Sequence, residues 1–261
     1  MSETYKTVKA FLQKNSIEVF GALRAEKLNI INKRLMPELT QSAVMFLMPY
    51  YVKTPESRNI SLYAVSRDYH LFIKELAGAF PSSEGHFFKF FADTSPIDER
   101  SAAIDAHLGF VGQNRLVINE KYGSYVFIGT ILTDALFDDD EYVTGENTKK
   151  CLGCGLCKRE CGFLFGRQSY CLSELNQRKR VTDEELKVIR SQPVIWGCDM
   201  CQQVCPHNRD IPETPIEFFR KDRLFRIDFR LIQDMSDEEF SRRAYSWRGK
   251  GVLLRNLGED E

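Results

Sequence analysis

The sequence predicts an α+β fold in three zones: a mixed helix-and-strand domain over residues 1–147, a small cysteine-rich domain over 148–210, and a short helical tail over 211–261 that packs on the core. Three observations predict it. Apolar residues in the first zone switch between helical and strand periodicity, all eight cysteines lie beyond residue 150, and the last zone pairs helix-start signals with amphipathic turns. With 43% hydrophobic and 28% charged residues over 261 positions, the chain can bury a sizeable core, and disorder is excluded as its main state. A formal net charge of -1 gives no global pull toward nucleic acid or membrane.

Near the start, Val8, Phe11 and Leu12 follow helical spacing, and Ala43 to Met48 is an apolar run stopped by Pro49, as in a buried strand. Tyr63 to Phe80 carries Leu71, Phe72, Leu76 and Phe80 at helical intervals and ends before Pro81. His86 to Ala92 is aromatic-rich and reads as a strand ending at Asp93. Ser101 to Leu108 reads as a helix and Gly109 to Gly112 as a turn. Leu116 to Ile118 is expected to pair with Tyr125 to Leu132 as a hairpin across Asn119 to Ser124. The acidic stretch Phe137 to Asn147 reads as a linker. Beyond it, Thr182 with Glu185 forms a capping-box pattern leading to Leu186 and Ile189, and Ser236 with Glu239 repeats it ahead of Phe240, Trp247 and Val252-Leu253-Leu254.

The longest strongly apolar stretch, Ala43 to Val52, is too short for a membrane span and is broken by Pro49, so a cytoplasmic protein without membrane attachment is expected. In a reducing compartment clustered thiols serve metals or redox chemistry more often than disulfides. The run Cys151-x2-Cys154-x2-Cys157-x3-Cys161 matches the bacterial ferredoxin pattern, with Gly153 and Gly155 supplying the tight loop. Cys198-x2-Cys201-x3-Cys205-Pro206 is a second such group short of one ligand, and Cys171 is the cysteine left to complete it. Crossing the chain as ferredoxins do, one 4Fe-4S cluster takes Cys151, Cys154, Cys157 and Cys205, and a second takes Cys161, Cys171, Cys198 and Cys201. Two zinc sites of four cysteines each are the alternative.

The second cysteine group carries a more specific likeness. Gly197-Cys198-Asp199-Met200-Cys201-Gln202-Gln203-Val204-Cys205-Pro206-His207-Asn208 resembles the "GCDxCQxVCPWN" signature of epoxyqueuosine reductases. Tyr63 to His70 resembles the family's "RYAxGxDYH", Asp93-Thr94-Ser95-Pro96 with Glu99-Arg100 its "DSxPxxER", His107 to Asn114 its "GLGWxGKN", and Cys171-Leu172-Ser173 its "CISYLT". Phe240 and Gly251 to Asn256 resemble the family's last helices. The resemblance implies a nitroreductase-like cobalamin-binding domain, a ferredoxin-like domain with two 4Fe-4S clusters, and reduction of the epoxide of epoxyqueuosine in tRNA to queuosine, electrons passing from clusters to cobalamin. It further implies a short form that ends before the helical-repeat domain of longer members.

By the same resemblance Asp93 is the proton donor, and such a role asks for a carboxyl whose pKa is raised by burial. Asp98 is the second choice for that acid. An N-cap for the following helix is the plainer role for Asp93 or Ser95. By the resemblance Ser173, Cys198 and Asp199 lie in the region that faces the corrin; the Gly109-x-x-Gly112 turn with Asn114 brings backbone close to the cofactor or simply ends a helix, and Tyr63 and His70 are cofactor contacts or plain core, with His70 as an axial cobalt ligand the lesser reading. The chain departs from the family pattern at Leu62, Phe110, Gln113 and His207. Lys149, Lys150, Lys158, Arg159, Arg167, Arg178, Lys179 and Arg180 form a basic patch suited to tRNA phosphates, or to a low-potential donor such as flavodoxin or ferredoxin. A monomer is expected. The rival functions are a small-molecule reductase akin to reductive dehalogenases, a non-catalytic ferredoxin-type electron carrier, and a zinc-stabilised interaction protein.

Overall fold

The computed structural model describes residues 2–55, 57–81, 85–164 and 170–258. Contacts divide the chain into two compact units, Met1–Pro49 with His70–Gly153, and Tyr50–Tyr69 with Cys154–Glu261. The second unit therefore draws a twenty-residue segment out of the mixed α/β zone, which no composition shift in the sequence marks.

The first unit is built on an antiparallel sheet of β1 (Phe20–Arg24), β2 (Ser42–Pro49), β3 (Phe88–Phe91) and β6 (Val126–Thr133), in the order β1-β2-β6-β3. Every residue of β2 is buried, as its unbroken apolar run predicts. β2 pairs along its whole length with β6, where Gly129 lies opposite Phe46 and a Cβ there would stand 2.2 Å from its ring. The helix α1 (Glu3–Lys14) buries Val8, Phe11 and Leu12. Phe11 meets Phe80, just past α2 (Tyr69–Ala79), with ring centroids 4.9 Å apart, and Phe80 meets Phe88 of β3 at 4.6 Å. A second apolar layer joins Leu23, Met45, Leu47 and Leu132 to Ala102 and Ala103 of α3 (Glu99–Asp105) and to its C-cap Ala106.

Four expectations for this unit are corrected. α2 begins at Tyr69 rather than Tyr63, because the preceding backbone bonds within the other unit: the Ser61 amide donates to Trp196 O (2.8 Å) and the Asp68 amide to Arg242 O (2.8 Å). The expected hairpin does not form. β5 (Val117–Ile118) pairs with β4 (Phe110–Val111), inside what reads as a glycine turn, while β6 pairs with β2 and β3. α3 starts two residues earlier than its apolar pattern, where Asp98 caps it. The acidic stretch 137–147 is no loose linker: the buried Tyr142 hydroxyl bonds Ser42 Oγ at 2.6 Å and receives the Phe137 amide, and the Val143 amide donates to Ala22 O.

The second unit is a set of short helices, α4 (Leu156–Glu160), α5 (Leu172–Asn176), α6 (Asp183–Arg190), α7 (Met200–Gln203), α8 (Glu217–Arg220), α9 (Phe229–Asp234), α10 (Asp237–Ser241) and α11 (Lys250–Leu257). The capping box forms at Thr182 and Glu185 as read, and Ser236 accepts the Glu239 amide. Segment 50–69 is sewn in by backbone and side-chain bonds, the Ile195 amide to Asn59 O (2.8 Å) and both ends of the Asn59 amide to Ile227. The tail belongs to the same core. Fully buried Asn256 of α11 donates to Asn176 O (2.7 Å) and Ile195 O (2.9 Å), and Asn176 pairs reciprocally with the backbone of Gly197.

Candidate functional site

The chain leaves β3 at Phe91 and turns through residues 92–98 into α3. Asp93 sits in the left-handed region at φ +58°, a conformation that aspartate tolerates better than most side chains, with its carboxyl exposed. Its amide donates to Glu99 Oε2 at 2.8 Å. The rest of the turn is held by backbone: the amides of Ile31 and Asn32 donate to Pro96 O, and that of Asp98 to Asn29 O. Asp98 receives the Arg100 and Ser101 amides, so the helix cap considered for Asp93 and Ser95 is filled by Asp98. The raised carboxyl is Glu99, pushed up to about 7 by burial and by the Asp93 charge, against the Asp93 amide and the Ser95 and Thr130 hydroxyls, which favour its ionised form.

Gly109 and Gly112 have packing reasons of their own. A Cβ on Gly109 would lie 2.3 Å from Ile118 O, and one on Gly112 2.5 Å from Asn114 Oδ1. Asn114 is buried, accepts the Leu116 amide at 3.3 Å through Oδ1, and leaves Nδ2 without a partner among the described residues. A buried amide donor aimed at nothing in the protein suits a polar group of a bound cofactor. His70 is the half-buried second residue of α2.

All eight cysteines are free thiols. Cys157 lies on α4 and Cys161 ends it, Cys171 starts α5, Cys201 lies on α7, and Cys205 precedes a 3₁₀ turn at Pro206–Asn208. Gly153 and Gly155 both have positive φ, +68° and +72°, which the tight ligand loop requires. Burial raises Cys198 to about 11 and Cys201 to about 12, with Cys171 and Cys161 adding to both and Cys157 to Cys201. Thus Cys161, Cys171, Cys198 and Cys201 share one neighbourhood in the second unit. Among the described residues no three His, Cys, Asp or Glu side chains are grouped for one metal ion. A cubane asks for a different set, four thiolates each on its own iron, and an all-sulfur donor group in a half-buried setting has that chemistry.

Asp199 is the best-connected member of the motif. Buried, its carboxylate is bonded by the buried Arg58 guanidinium, the Ser61 hydroxyl and the Leu62 amide (2.9 Å). Gly197 is at φ +70° and a Cβ there would stand 2.3 Å from Ser61 Cβ, so segment 58–62 presses directly on the cysteine loop. Burial raises the phenol of Tyr63 far above its ordinary value and keeps it neutral. Ser173 Oγ accepts Gln177 Nε2 at 2.8 Å.

No family model matches the chain. Among curated proteins it is 33% identical over 209 residues to the epoxyqueuosine reductase of Lactococcus garvieae, covering 73% of this chain and 57% of that one. It is 33% identical over 223 residues to that of Pseudomonas aeruginosa, covering 81% and 60%. The chain is a homologue of the epoxyqueuosine reductases. It spans about three-fifths of the length of these relatives. Its fold is theirs: the Streptococcus thermophilus epoxyqueuosine reductase superposes with a TM-score of 0.73 at 23% identity, over 98% of this chain and 80% of that one. An epoxyqueuosine reductase solved with an epoxyqueuosine-modified tRNA-Tyr stem loop gives 0.72 at 22%, over 97% and 79%. A reductive dehalogenase described as B12-dependent gives 0.51 at 17%, over 96% and 37%.

In this homologue the cysteines stand out by their spacing, whereas Asp93 and Asn114 are singled out only by the resemblance of their segments to family motifs. Glu99 reads in sequence as part of a solvated charge run, and only the turn before it brings its carboxylate to Asp93. Arg58 lies outside every motif and has no sequence signal. Part of the basic patch is self-neutralised, since Arg178 bridges Glu174 and Glu185 and Lys149 pairs with Glu120; Arg167 lies outside the described residues. Among the described residues no helix is long and apolar enough to cross a membrane.

Proposed function

We propose that the chain is an epoxyqueuosine reductase-like enzyme that reduces the epoxide of epoxyqueuosine in tRNA to queuosine. The reading assigns residues 1–147 to a nitroreductase-like cobalamin-binding domain and 148–210 to a ferredoxin-like domain with two 4Fe-4S clusters. One cluster would be held by Cys151, Cys154, Cys157 and Cys205, the other by Cys161, Cys171, Cys198 and Cys201. The observation that carries it is the shared neighbourhood of the second set on short helices of a chain homologous to these reductases.

Converting an epoxide to an alkene and water takes two electrons and two protons, and bound clusters and cobalamin supply the electrons. The protein supplies the rest. Asp93, presented by the turn after β3, would deliver a proton to the epoxide oxygen. Asn114 Nδ2 would bond a polar group of the corrin, with His70 of the same unit a second corrin residue. Asp199 holds segment 58–62 against the cysteine loop. Members of the basic patch would meet tRNA phosphates, and a flavodoxin or ferredoxin is the class of reductant required.

The test is anaerobic reconstitution with iron and sulfide, addition of cobalamin and a strong reductant, and mass spectrometry of an epoxyqueuosine-containing tRNA. Queuosine should appear with the wild type and disappear with Asp93→Asn. Failure to bind cobalamin, or binding and reduction without queuosine, overturns the reading.

A further inference from the structure

We propose that Glu99 is the positioning residue of the Asp93 turn, its carboxylate holding the Asp93 amide and with it the left-handed backbone from which the Asp93 carboxyl is presented. The inference rests on the reading of Asp93 as the acid for its functional meaning, though not for its geometry.

Three observations carry it. Asp93 is a non-glycine residue at φ +58°, a conformation that costs energy unless something nearby holds it. The group that bonds its amide is a carboxylate from the first turn of the next helix, at 2.8 Å, and not a backbone carbonyl as elsewhere in the turn. That carboxylate is backed by Thr130 of β6, itself fully buried, with the hydroxyl at 3.5 Å from Oε1. The far end of the turn is fixed independently: Pro96 O takes the Ile31 and Asn32 amides, and the Asp98 amide bonds Asn29 O. Glu99 is therefore an anchor at the Asp93 end, separate from the bonds that hold residues 96–98, and removing it should loosen the Asp93 amide without disturbing them.

The anchor is sensitive to protons. An ionised carboxylate accepts an amide more strongly than a neutral acid, and burial raises Glu99 to about 7. The charge that acts on it is Asp93. Of the elements packed against α3, β2, β4, β5 and β6 carry no ionisable side chain, and Arg24 of β1 pairs with Asp139. On α3 itself and its cap, Asp98 is taken up by helix amides and Arg100 is exposed.

The experiment is amide hydrogen exchange on the full chain, normalised to the intrinsic rate at each pH, for wild type, Glu99→Ala and Glu99→Gln. In Glu99→Ala the Asp93 amide should lose protection by about tenfold, the weight of one charge-assisted hydrogen bond, while the α3 amides and those of residues 31, 32 and 98 stay as protected as before. Between pH 6 and 8 the wild-type Asp93 amide should gain protection as Glu99 ionises. Glu99→Gln, which keeps an acceptor oxygen and folds with the same shape, should be protected independently of pH. An Asp93 amide equally protected in Glu99→Ala and wild type overturns the proposal, as does loss spread through α3, which marks a merely structural role. Should Glu99→Ala not fold, Glu99→Gln with the wild-type pH slope retained overturns it alone. Turnover separates the two readings: Glu99→Ala should lower kcat and leave KM nearly unchanged, whereas full activity of Asp93→Asn sinks the role of Asp93 as acid and leaves the exchange result to decide Glu99.

Discussion

Asp199 and Glu99 are both half-hidden in the sequence as ordinary acidic residues, and their surroundings make them opposites. Asp199 has a guanidinium, a hydroxyl and an amide on its carboxylate, so its charge is fully partnered although buried. Removing one member strands the other: Asp199→Ala leaves Arg58 buried without its counter-ion and should cost about 3–5 kcal/mol in urea unfolding, with Asp199→Asn less damaging because it keeps an acceptor for Ser61 and Leu62. Glu99 has amide and hydroxyl donors and, among the described residues, no cation paired with it, and burial outweighs the donors. Its folded pKa of about 7 lies above the ordinary carboxyl value of 4.5, so the neutral form is the one that folding favours. That contribution is complete below about pH 4.5 and is lost as pH rises through 7, a loss of at most about 3 kcal/mol. A stability profile from pH 5 to 8 should therefore slope downward in the wild type more steeply than in Glu99→Gln, and equal slopes would show that Glu99 does not titrate there.

Elements whose causes are local were legible, and those whose partners are distant in sequence were not. The buried run of β2 and the capping box of α6 are written within a few residues, and both form where the pattern puts them. Thr182→Ala removes the hydroxyl that accepts the Glu185 amide and should lower the melting temperature by the equivalent of about 1 kcal/mol, measured by calorimetry. The hairpin across residues 119–124 was misread because β6 alternates plausibly with its neighbour but finds longer partners in β2 and β3, some eighty and forty residues away by register. The start of α2 failed for a similar reason: helical spacing continues back to Tyr63, yet residues 58–68 are claimed by backbone bonds to 195–196, 224 and 242. The same distinction governs the site. Cysteine spacing is a local signal and picked out all the thiols, whereas the Glu99 bond to the Asp93 amide and the Arg58 bond to Asp199 exist only after the chain has turned or returned.

At the scale of the molecule the two units have separate sources of cohesion. The first has a four-stranded sheet with an apolar layer from Leu23, Met45, Leu47 and Leu132 against α3. In the second, helices α4, α5 and α7 have only four or five residues each, and a local cluster of Phe163, Leu172, Leu175 and Ile189 is what backs the cysteine loops. Helices so short are not stable by propensity. Clusters bound to folded but not unfolded chain add their binding energy to folding, so they should stabilise this unit selectively. Calorimetry of the reconstituted protein should show two transitions. Stripping iron by oxidation and chelation should lower one of them by ten degrees or more, on the order of several kcal/mol for a domain of this size, and leave the other in place. Cys201→Ala should reproduce the shift before stripping and show little further change after it. A single transition that moves as a whole, or one indifferent to iron, would show that the thiol loops are held by the protein alone.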